Sequence, residues 1–135
     1  MVTNSWLEQV KEEIVDPERP IIDPHHHLWS DKKGASDYQI EQLWSDMAEG
    51  HNVVGTVFVE CSTNYLSVGP KRLWPVGETE YVVTQANKSR DASTAGEAPI
   101  LGIVSHADLK LGDAVVEVLE AHREASAGLL RGIRH

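Results

Sequence analysis

The residues best equipped for chemistry stand together in Asp23-Pro24-His25-His26-His27. Two branched apolar residues, Ile21 and Ile22, run into this Asp-x-His-x-His pattern, as a strand ending in a metal site would. Alternate side chains of a strand share a face, so Asp23, His25 and His27 are expected on one side and His26 on the other. His25 and His27 could then reach a single divalent cation. Imidazole suits zinc, and a catalytic zinc keeps an open position for water. The competing reading is a surface loop that binds metal adventitiously. The surrounding chain argues against it, because a strand precedes the motif and strand and helix alternate beyond it.

Three later apolar runs also end in chemically useful side chains. Val53 to Val59 is nearly continuous and branched, the mark of a strand buried on both faces, and it is followed by Glu60 and Cys61. Ile100 to Ser105 leads to His106, and the run from Leu129 to His135 carries Arg134. In a parallel sheet these positions lie at the carboxyl ends of the strands, where ligands bind. Glu60 there is a ligand, a hydrogen-bonding residue or a solvated strand end. Parity groups His106 with Gly102 and Val104, and Arg134 with Gly132 and Leu130. Arg134 suits bidentate capture of a substrate carboxylate, or else a structural ion pair. Cys61 has no visible base or helix start to lower its pKa and reads as a half-buried thiol.

Three helices are expected between the strands. Ile40, Leu43, Trp44 and Met47 recur at helical spacing within Tyr38 to Glu49, and Gly50 ends that helix. Gly77 to Ser89 carries Glu78 and Glu80 in its first turn, where the helix dipole favours them. Asp113 to Ala125 places Val115, Val118, Leu119 and His122 on one face, so His122 reads as a helix-face residue. The long loop from Ser62 to Val76 holds Asn64, Tyr65, Lys71, Arg72 and Trp74, which suit a substrate-covering segment. Capping-box spacing at Ser5 and Glu8, with Trp6, Val10 and Ile14, predicts a short leading helix in a 1–19 extension. Strands joined through helices give parallel β-α-β units.

The 135 residues fit one domain, with 41% apolar and 24% charged content, ordinary for a globular protein. A formal charge of −9 without a basic stripe argues against nucleic-acid or anionic-membrane partners. The single cysteine allows no internal disulfide and fits a reducing cytoplasm. No transmembrane or secretory segment is visible, since the first residues are acidic and amphipathic.

Several stretches resemble, in order, the amidohydrolase-related family of the amidohydrolase superfamily, near the branch of lactonases and 2-pyrone-4,6-dicarboxylate hydrolase. They are Pro-Ile-Ile-Asp-Pro-His-His-His-Leu-Trp, Val-Phe-Val-Glu-Cys, the segment from Gly69-Pro70 to Pro75-Val76-Gly77-Glu78-Thr79-Glu80, Gly-Ile-Val-Ser-His-Ala-Asp-Leu and Arg-Gly-Ile-Arg-His. The similarity runs from about Pro20 to His135. It implies a (β/α)8 TIM barrel that hydrolyses lactones or related esters and amides of a small carboxylated substrate, with one zinc in some members and none in others. His25 and His27 match the family's strand-1 metal pair. Arg134 matches the second arginine of its strand-4 Arg-Gly-x-Arg, a carboxylate binder. The family's later histidines and its aspartate general base have no counterpart, so the base is expected beyond the C-terminus. Decarboxylases of the same superfamily share the first motif, but Glu60-Cys61 and Gly-Glu-Thr-Glu favour the lactonase-like branch.

A complete barrel needs about 250 residues and eight strands. Residues 20–135 therefore read as the N-terminal half of one, holding the first four β/α units. Such a half has two open edges and an uncovered inner face on which side chains such as Phe58 and Val104 would meet water. A missing C-terminal half-barrel, or self-association through the open edges, is the expected partner besides the substrate, and the chain alone is expected to be inactive. The alternative from another class is a non-catalytic binding or assembly module.

Overall fold

The computed structural model describes residues 9–10, 12–30, 37–91 and 97–135. Four strands, β1 (Ile21–His26), β2 (Val53–Val59), β3 (Ile100–His106) and β4 (Leu130–Arg134), make one sheet in that spatial order. Every neighbouring pair is parallel. Three helices alternate with them: α1 (Ile40–Met47), α2 (Val76–Asp91) and α3 (Val115–Ala125). Short 3-10 turns at Lys71–Leu73 and Leu109–Ala114 lead into α2 and α3.

The first and third helices each turn an apolar stripe toward the sheet, whereas α2 buries Glu78, Thr79, Gln85 and Ser89 beside Val82 and Ala86. Leu28, Ile40, Leu43, Phe58, Val82, Ala86, Ile100 and Ile103 make a single buried cluster between strands and helices. Trp44 packs against it and ties α1 to the start of β3 by donating its indole N–H to the Ala98 carbonyl at 3.1 Å. The chain leaves α1 through Gly50, whose φ of 115° suits only glycine.

Phe58 was expected on the open face, and the structure corrects this. It is fully buried on the helix-covered side, as is Thr56 two residues earlier. Other residues change face because the pairing slips. One extra residue enters each junction: Val54 between the pairs Ile21/Val53 and Ile22/Gly55, Leu101 between Thr56/Ile100 and Val57/Gly102, and Arg131 between Ile103/Leu130 and Val104/Gly132. Leu130 consequently pairs with buried Ile103 and leaves the set expected to contain Arg134. These interruptions break the simple alternation that parity assumes.

The face without helices remains uncovered. Ile22, Val54 and Leu101 are 54%, 44% and 41% exposed there. Two glycines make room for side chains crossing from the next strand. A Cβ on Gly55 would come within 2.2 Å of Leu101 Cδ1, and one on Gly102 within 2.7 Å of Arg131 Cγ.

Most of the expected leading helix lies outside the described residues, but Glu12, Glu13 and Ile14 are described and are not helical. Val10 is 71% exposed, while Ile14 is half-buried beside Gly50, and a short helix in water is marginal. Among the described residues no helix is long and apolar enough to cross a membrane.

Candidate active site at the carboxyl ends of the strands

The parallel sheet brings the side chains picked out in the sequence to one edge. His27 follows β1, Glu60 follows β2, His106 closes β3 and Arg134 closes β4. They are held to one another through backbone and side chain alike.

His27 Nδ1 lies 2.7 Å from the Val59 carbonyl, which can only accept, so Nδ1 carries the proton and Nε2 keeps its lone pair. That arrangement orients metal-binding histidines generally. The His25 ring stands edge-on to His27 with centroids 4.9 Å apart. The strand does not deliver them by plain alternation. Asp23 turns back to accept the His25 N–H at 3.0 Å, and the β1–β2 register slips between Asp23 and His26. Asp23 thereby acts on the backbone of the motif. His26 goes to the other side, as expected, and is buried edge-on against Phe58. Burial pushes its pKa down to about 4, so it stays neutral.

The fit to a metal is partial. His25 and His27 offer two nitrogens, but among the described residues no group of three or more His, Cys, Asp or Glu side chains is placed to hold an ion.

Glu60 and Arg134 form an ion pair across the end of β3. Arg134 Nε donates to Glu60 Oε1 at 2.8 Å, and Nη2 donates to the Glu60 carbonyl at 2.7 Å. Glu60 is 9% exposed, so this is a well-shielded partner for the arginine. His106 donates Nδ1–H to the Arg134 carbonyl at 3.0 Å, which leaves Nε2 free to accept a proton.

Glu78, Thr79 and His122 support these residues; Glu78 was expected as a helix-start acid and His122 as a helix-face residue, and Thr79 had no expected role. Glu78 is 2% exposed and far from a solvated helix-start acid. Its Oε1 accepts the N–H groups of Cys61 and Thr63, both at 2.9 Å, and so shapes the turn that follows Glu60. Burial raises its pKa, partly offset by those two bonds. Ser62 and Asn64 in that turn take positive φ, which Glu78 helps to hold. Gly77 is there because a Cβ would meet the Asn64 carbonyl oxygen at 2.6 Å.

His122 is fully buried. Its Nε2–H donates to the His106 carbonyl at 2.9 Å, so Nδ1 accepts from the Thr79 hydroxyl at 2.8 Å. Thr79 is in turn 2.8 Å from Ser105 Oγ. A polar chain thus runs from α3 through α2 to the end of β3. The available signal was the Gly77-Glu78-Thr79-Glu80 motif itself, three of whose four residues have buried roles. Cys61 fits its expected bland part, its thiol pushed up to about 11 by burial.

Beside this edge is a cavity of about 360 Å³ lined by Tyr65, Lys71, Arg72, Trp74, Pro75, His106, Asp108 and Leu111. Most of its wall comes from the loop expected to cover a substrate.

The chain matches no protein-family model, no curated protein and no solved structure.

Proposed function

We propose that this chain contributes the first four β/α units of a TIM-barrel hydrolase, acting on lactone-like or related ester and amide bonds of a small carboxylated substrate. The supporting observation is the gathering of His27, Glu60, His106 and Arg134 at the carboxyl ends of four consecutive parallel strands. Barrel enzymes place their catalytic groups at that end. The offset pairings and the helix-free face with exposed Ile22, Val54 and Leu101 suit a sheet that curls until further strands close it.

In this reading His25 and His27 supply two of the ligands to a divalent metal, zinc by ligand type, with the others coming from outside the described residues. Such an ion lowers the pKa of water to about 7 and polarises a carbonyl. The chain's own residues have separate tasks. The Val59 carbonyl fixes the tautomer of His27. Glu60 holds Arg134 in place, and Arg134 keeps Nη1 for an oxygen of the substrate. His106 presents Nε2 as an acceptor for a hydroxyl or water proton.

The test is proton release from a panel of carboxylated lactones by the chain combined with a complementary half-barrel, with product analysis and metal content measured together. An opened acid supports the reading, and carbon dioxide release moves it to the decarboxylases of the same superfamily. Full activity without bound metal removes the ligand role of His25 and His27.

A second reading follows from the open face alone: a non-catalytic module that assembles with a complementary half-barrel or with itself. Mixing the chain with such a half separates the two. Restored hydrolysis supports the enzyme, and a stable inactive complex supports the module.

A further inference from the structure

We propose that the cavity between the Lys71–Pro75 turn and the His106–Leu111 segment binds a planar carboxylate, with the Lys71 ammonium as its counter-ion. This deepens the hydrolase reading by placing the substrate's acid group, and it rests on that reading only for calling the ligand a substrate.

The cations near this cavity differ in what already pairs with them. Arg134 directs Nε and Nη2 to Glu60 at 2.8 and 2.7 Å. Arg72 Nε lies 2.7 Å from Glu117. Lys71, which lines the same cavity as His106, has no carboxylate partner among the described residues. Its ammonium sits 5.8 Å from the centre of the Trp74 ring, so it is oriented but not neutralised. The one acid in the lining, Asp108, accepts the Lys110 N–H at 3.0 Å and lies 3.7 Å from His135 Nδ1.

The walls select the rest of the ligand. Trp74 is held by its indole N–H on the Gly69 carbonyl at 3.2 Å, and Tyr65, Pro75 and Leu111 complete apolar surfaces on which a flat ring can lie. Burial pushes the Tyr65 phenol up to about 12, so it adds no charge. A cavity of about 360 Å³ is at the small end for organic ligands and fits a single ring acid. His106 Nε2, with Nδ1 tied to the Arg134 carbonyl, gives the ring's polar substituent an acceptor. In a chain of formal charge −9, anion binding needs a specific cation and does not follow from the general field.

The experiment titrates the protein with benzoate, benzamide and benzylamine by ligand-observed NMR, which reads weak binding in any oligomeric state. Benzoate is expected to bind at least about tenfold more tightly than benzamide or benzylamine, as loss of a charge-assisted contact requires. Lys71→Met should weaken benzoate by a similar factor with an unchanged melting curve, and Lys71→Arg should retain it. Lys110→Met, a neighbouring lysine outside the lining, should leave it unaltered. The proposal is overturned by absent benzoate binding, by equal binding of benzamide, or by the same loss in both Met variants. Lactone hydrolysis is scored separately. In the chain mixed with a complementary half-barrel, hydrolysis without benzoate binding refutes the placement alone, and benzoate binding without hydrolysis refutes the hydrolase reading alone.

Discussion

The buried ring of His122 holds the backbone of His106: its Nε2–H meets the His106 carbonyl at 2.9 Å. A residue at the mouth of the sheet is thus fixed from the helix layer behind it. The same ring closes the hydrogen-bond chain through Thr79 to Ser105.

Stability should depend on pH through this contact. Burial lowers the His122 pKa below its ordinary 6.5, and His106 is the ionisable neighbour that bears on it. The unfolded chain therefore takes up the proton first. The contribution is fully present above about pH 6.5 and fades as pH falls below that value. Urea midpoints measured near pH 7.5 and pH 5.5 should fall in the parent and fall less in His122→Gln. Equal falls would rule out this origin. The substitution itself should cost about 1–3 kcal/mol by stranding buried polar partners.

Glu78→Ala should loosen the turn after β2. Two backbone N–H groups lose their acceptor, at about 1–3 kcal/mol each if they stay buried. Amide exchange at Cys61 and Thr63 is expected to accelerate, while Glu78→Gln, which keeps an amide oxygen, should preserve most protection. Unchanged exchange in the alanine variant would show that the turn holds itself.

Glycines of similar local appearance should respond differently to alanine. At Gly77 the added methyl meets backbone of the 64–66 segment at 2.6 and 2.9 Å, and overpacking there should cost about 1–3 kcal/mol. At Gly132 the nearest atom is Val104 Cγ2 at 3.9 Å, an ordinary contact, so the change should be small. Thermal melts of the two variants side by side provide the comparison.

The isolated chain should self-associate or aggregate, and show no lactonase activity. Ile22, Val54 and Leu101 are exposed on the helix-free face, and each Å² of apolar surface left in water forgoes about 25 cal/mol. Sedimentation should give concentration-dependent mass, and Leu101→Lys should shift it toward monomer. A sharply melting monomer of the parent chain at every concentration would contradict the prediction.

The order of strands and helices was legible because the apolar runs of β2 and β3 and the spacing of Ile40, Leu43, Trp44 and Met47 are strong local signals. The residues at the strand ends followed from that order. Which face each strand residue takes was less legible. Strict alternation misled at Leu130, since the extra residue Arg131 arises from pairing between strands and leaves no mark in a single run; at Phe58 the run is apolar on both faces, so nothing in it says which side the helices cover. The buried roles of Glu78 and His122 were hidden for a related reason. A carboxylate in a first helical turn looks solvated until the loop that covers it is known, and His122 acquires its partners from two other elements.

The Glu60–Arg134 pair joins positions 74 residues apart, and the His27–Val59 contact joins positions 32 apart. Contacts of long sequence separation form late, because the intervening chain must be ordered first. The His27 end of the mouth can therefore be set as soon as β2 docks on β1, while the arginine arrives only after three helices and β3 are in place. Assembly of this edge is vectorial. On a ribosome, which releases the N-terminal segments first, the histidine corner and Glu60 would be in place before Arg134 is synthesised.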